Sequence, residues 1–143
     1  MVKEFNSLEE IEKYYDKNTY TYVFKKNGVY IDSVKFNFNL EVRANIDASV
    51  IDAFNIIAWN IKASNIKAHD IYADDIFAFN IIANDISYYG VCVAYESIKC
   101  KSIEGRRANS KHFVLDGEIE VEEDEWFWKQ IKRDSRNWWQ LGS

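Results

Sequence analysis

Residues 45–87 read NIDAS VIDAF NIIAW NIKAS NIKAH DIYAD DIFAF NIIAN DIS, and this beat of five decides the fold. Isoleucine recurs at Ile46, Ile51, Ile56, Ile61, Ile66, Ile71, Ile76, Ile81 and Ile86. Alanine follows two residues later from Ala48 to Ala83, until Tyr88 takes the corresponding place. Asn or Asp precedes each isoleucine except Ile51, which follows Val50. An α-helix turns about 500° in five residues, about 140° out of phase, so no apolar stripe forms. A flat strand, with period two, cannot keep a period of five without a turn in every repeat. A short Ile-x-Ala strand with a corner at the Asx residue satisfies both, because residues two apart share a side. Asn and Asp are expected to turn the corner by local side-chain bonds and tolerance of unusual φ. The chain is therefore expected to wind as a β-solenoid with Ile and Ala inside.

With its Asn/Asp-Ile pairs, the beat resembles the pentapeptide-repeat family, although its alanine stands at Ala-x-Asn/Asp-Ile. The resemblance implies a four-sided, right-handed β-helix. Four sides mean a coil of 20 residues, placing Ile57 over Phe77 and Trp59 over Phe79. A 15-residue coil would instead place Ile57 over Tyr72 and Trp59 over Asp74. The apolar pairing favours four sides.

Working outward, one domain of three parts is expected: an N-terminal cover (1–42), the solenoid (43–105) and C-terminal strands with a helix (106–143). Ser7-Leu8-Glu9-Glu10 reads as a capping box opening a helix to about Lys17. Asn27-Gly28 marks a hairpin. Val34, Phe36, Phe38, Leu40 and Val42 alternate as on one strand face. An open solenoid end exposes core and strand edges, so the helix and hairpin are expected to cover it. After Ser87 the beat decays through Val91/Val93 to Ile98/Cys100, about one irregular coil. A strand pair or hairpin is expected around Asp116-Gly117. The tail from Glu122 carries four of the five tryptophans and is expected to be a Trp-rich helix.

The chain has 143 residues, no proline, five glycines, 48% apolar residues and a formal net charge of −5. That is a globular composition with room for one core. No run of about 18 apolar residues occurs, and MVKEFNSLEE has no apolar stretch after a basic head, so a cytoplasmic location without membrane contact is expected. No glycine-rich phosphate loop or nucleophile elbow is present. Cys92, Cys100, His69 and His112 lack the spacing of a zinc site, and Cys100 falls on an alanine place. Asp70, Asp75 and Asp85 already serve as corner residues. No cofactor, metal or catalytic residue is expected.

Two surface features remain. Outward positions carry Ile57, Trp59, Phe77 and Phe79 where solvent-facing polar residues would be expected, so either the chain's own flank, such as the Trp-rich tail, covers them or they form an interface with another protein chain. Residues 44–95 hold six Asp against two Lys, with Asp47, Asp52 and Asp74 outward as an acidic surface. Direct nucleic-acid binding is disfavoured by that charge. Some members of the resembling family are acidic rods that imitate duplex DNA. The expected function is thus a non-enzymatic protein-binding module, dimeric. Its sharpest form is a phage or mobile-element inhibitor that occupies a host nucleic-acid enzyme or defence protein by partial DNA mimicry. A self-assembling structural solenoid and an unrecognised hydrolase are the alternatives.

Overall fold

The computed structural model describes residues 2–121. Each pentad forms one short strand and one corner. Asn45–Asp47, Val50–Ala53 and Asn55–Ile57 lie on three successive faces, and Asn60–Lys62 returns to the first. Ile46, Ile61 and Ile76 stack on the first face, Ile51, Ile66 and Ile81 on the second, and Ile56, Ile71 and Ile86 on the third. Stacked positions are 15 residues apart, as in the Asn80–Asn65 pair. The coil is three-sided, which corrects the four-sided expectation. One isoleucine and one alanine from each of three faces fill a narrow triangular core: Ile51, Ile56, Ile61, Ile66, Ile76 and Ile81 are fully buried.

The coils pair in parallel throughout, and the third face alone stacks five strands. Corners bond from coil to coil as strands do. Ser64, His69 and Asp74 donate their backbone N–H to the carbonyls of Ser49, Phe54 and Trp59 at 2.7, 2.6 and 2.6 Å. This leaves few backbone groups unpaired at the bends. The Asx residues also act between coils: Asn80 Nδ2 donates to Asn65 Oδ1 at 3.0 Å, and Asn60 N–H to Asn45 Oδ1 at 3.2 Å. Among the described residues only Tyr20, Asn27 and Gly28 have positive φ, so the pentad corners need no left-handed backbone. The Asx columns are inter-coil ladders, not local turn caps.

At the N-terminal end, Val2–Phe5 pairs in parallel with Ser33–Phe36, and Thr21–Val23 with Asn45–Asp47. The expected helix–hairpin cover is replaced by strands that extend the faces. The helical part is a 3-10 helix, Leu8–Tyr14, that buries Ile11, and Ser7 makes no side-chain cap. Glu10 instead accepts the Asn6 backbone N–H. Lys25–Lys26 and Val29–Tyr30 do pair as a small hairpin around Asn27-Gly28. Val34, Phe36, Leu40 and Val42 are buried as their alternation implies, but the chain bends between the second and third faces within that run.

After Tyr88 the coils lengthen. Tyr89 and Gly90 shift the phase, so Cys92 and Ala94, not Val91 and Val93, point inward. Tyr95 and Glu96 then oppose Phe79 as a bulge. Lys111–Val114 and Glu118–Val121 form no hairpin; each pairs in parallel with Val91–Cys100 on its own face. The Trp-rich tail helix expected from residue 122 onward lies outside the described residues. Among the described residues no helix is long and apolar enough to cross a membrane.

Candidate functional site

The 15-residue coil separates the four residues expected to form one apolar strip. Ile57 lies on the third face, in register with Tyr72. Trp59 sits at the corner below Asp74 and meets the Tyr20 ring edge-on at 6.2 Å. Phe77 lies on the first face, and Phe79 at the corner between the first and second faces. All four side chains are exposed, Trp59 at 40% and Phe79 at 49%.

On the first face the outward column runs Asp47, Lys62, Phe77, Val93, Phe113. The adjoining corner runs Ser49, Ser64, Phe79, Tyr95, with Leu115 beyond. After Val23, which is in register with Asp47, both columns are polar through Lys62 and Ser64 and apolar from Phe77 and Phe79 onward. The result is a patch of six residues, Phe77, Phe79, Val93, Tyr95, Phe113 and Leu115. Phe79 and Tyr95 pack edge to face at 5.6 Å, and Leu115 is 64% exposed. Only Phe77 and Phe79 were legible as members. The other four follow once the phase shift at Gly90 is known.

The third face is closed differently. Arg106, from the basic connection of residues 105–111 (GRRANSK), lies 3.8 Å from the Tyr72 ring centre and donates to Ser87 Oγ and the Ala73 carbonyl, each at 2.9 Å. It also faces Asp74 at 3.8 Å. The loop is therefore a staple over Tyr72, and the apolar surface of this face is partly covered.

The three aspartates expected to make an acidic surface lie apart. Asp47 accepts the Tyr30 hydroxyl at 2.7 Å, and Asp74 pairs with Arg106. Asp52 is only 4% exposed, so it is a buried carboxylate and not part of an outer acidic row. Burial pushes its pKa up to about 6, against the opposing pull of Lys35 and Lys67. Asp70 is also raised, first by burial and then by Asp85 one coil on.

Cys92 and Cys100 are fully buried, and burial pushes their thiols up to about 12 and 11. Such thiols are packing groups, not nucleophiles. The two histidines stand apart in the fold. His69 stacks on Phe54 at 5.6 Å and bonds with Asn84, while His112 Nδ1 meets the hydroxyl of the buried Tyr88 at 2.6 Å. Comparison with protein-family models, curated proteins and solved structures gives no match for this chain.

Proposed function

We propose that this chain is a non-enzymatic protein-binding module that pairs with a second copy of itself through the late part of its first face. The observation that carries the reading is the six-residue apolar patch centred on Phe77, Phe79 and Phe113. Half-exposed aromatic side chains offer on the order of 100 Å² each. Six residues across two copies then approach about 1,000 Å², the lower bound for a specific interface. The patch also suits self-pairing: it runs along parallel rungs about 4.8 Å apart and over the adjoining corner. A two-fold axis through it sets rings of one copy between rungs of the other. The pentad beat keeps the resemblance to pentapeptide-repeat proteins, with a three-sided coil in place of their four-sided one. An imitator of duplex DNA needs a continuous acidic row, and the separate settings of Asp47, Asp52 and Asp74 supply none, so the proposal stops at protein binding.

Sedimentation of the full chain and of a Phe77→Glu, Phe113→Lys variant tests it. The parent should sediment as two chains and the variant as a folded monomer, and the melting temperature should rise with protein concentration in the parent alone. A monomeric parent, or a variant that remains paired, would overturn the proposal. Mass that keeps growing with concentration would instead indicate an open-ended assembly.

A further inference from the structure

At the opposite end of the solenoid, the hairpin of Lys25–Lys26 and Val29–Tyr30 projects from the first coil. It turns at Asn27 and Gly28, with φ of 55° and 79°. It returns where the Ile31 N–H meets the Phe24 carbonyl at 3.0 Å. Lys13 and Tyr14 of the 3-10 helix Leu8–Tyr14, and Val2 and Lys3 of Val2–Phe5, share a lining with it. These three segments line an open cleft of about 690 Å³. Its volume is in the range of small-molecule sites.

Four lysines line the cleft: Lys3, Lys13, Lys25 and Lys26. Among the described residues, Asp32 is the one carboxylate on the lining. Three of the ammonium groups rest on rings, Lys25 on Tyr30 at 4.4 Å, Lys13 on Tyr14 at 5.4 Å and Lys3 on Phe5 at 5.8 Å. A ring face orients an ammonium group while leaving most of its N–H donors open. The chain as a whole is acidic, with 23 carboxylates against 18 basic side chains. Gathering four like charges at one cleft opposes folding through mutual repulsion, which a bound anion relieves.

We infer that this cleft binds a short chain of phosphates, carried by a nucleotide or free as polyphosphate. Lysine is a compact point charge on a flexible stem, suited to phosphate oxygens. Among the described residues no arginine lines the cleft, so an anion there meets point charges and not a planar fork. Several charges must be met within one small cavity. Adjacent phosphates supply them more densely than glutamates spaced about 3.3 Å along a peptide. Val2, Val29 and Ile31 add apolar lining for whatever the phosphates are attached to.

Calorimetry on the full chain tests this with tripolyphosphate, with magnesium-free adenosine triphosphate and with hexaglutamate. Both phosphate probes should bind saturably and raise the melting temperature. Equal affinity would assign the free chain, and tighter binding of the nucleotide would assign a nucleotide ligand. Lys25→Gln with Lys26→Gln should weaken binding at least tenfold without lowering the melting temperature of the free protein, since both side chains are exposed. Lys13→Gln, on the 3-10 helix, should weaken it independently. The inference fails if neither phosphate probe binds at millimolar concentration, if the lysine variants bind as the parent does, or if hexaglutamate binds more tightly than tripolyphosphate.

Discussion

Asp52 lies buried in register between Lys35 and Lys67 of the neighbouring coils, with one carboxylate oxygen, Oδ2, making no hydrogen bond. The unfolded chain releases this proton near 3.8, whereas the folded chain holds it to about 6. Between those values the folded state binds more protons, so this group's contribution to stability falls as pH rises through that window. Two pKa units correspond to on the order of 2–3 kcal/mol. Asp52→Asn should therefore stabilise the protein at pH 7 and matter little near pH 4. Melting temperatures of parent and variant from pH 4 to 8 should diverge upward; parallel curves would show that the carboxylate is not held in this way.

Ile66 is fully buried and stacks between Ile51 and Ile81. Ile66→Val should cost about 0.5–1.5 kcal/mol, the usual result of removing one buried methylene. Ile66→Asp places an unpaired charge in the triangular core and should unfold the solenoid. Urea titrations monitored by circular dichroism would measure both. A folded Ile66→Asp protein would mean that the inward phase is misassigned.

Cys92 takes an isoleucine place and Cys100 an alanine place, and both are fully buried. Their raised pKa values keep them protonated at neutral pH. A thiol reagent should label neither in the native protein, and both together on unfolding. Rapid labelling of one thiol at pH 8 in buffer would show that the late coils open locally.

The inward half of this fold was legible because each pentad repeats the same two demands, a branched residue and a small one, on the same side. The number of sides was not, because a beat of five fits three or four faces equally well. The stacking of Trp59 on Phe79 looked better than Trp59 on Asp74, but outward residues do not need like neighbours. Trp59 finds Tyr20 instead, from a segment with no trace of the beat. The late coils hid their outward column for a local reason: the extra residues around Gly90 and Glu96 move Cys92 inward and Val93 outward. Arg106 was equally hidden, since a basic loop shows nothing of the tyrosine it will cover.

Trp59 and Phe79 occupy different corners of the prism, so their substitutions should act independently. Phe79 belongs to the patch with Tyr95 and Phe113, whereas Trp59 packs only against the N-terminal Tyr20 among the ring contacts of the described residues. Phe79→Glu should weaken pairing between copies and, by removing the edge-to-face pair with Tyr95, also lower stability by about 0.5–1.5 kcal/mol. Trp59→Lys should leave pairing intact and lower stability by about 0.5–1.5 kcal/mol, the size of an aromatic pair at a partly exposed site. The double variant should show the sum of the two effects, because residues without shared contacts are additive within about 0.5 kcal/mol. Sedimentation and thermal melting on the three proteins measure both axes. If Trp59→Lys alone released the monomer, the interface would lie across the corner between the third and first faces, and the patch on the first face would be ordinary surface.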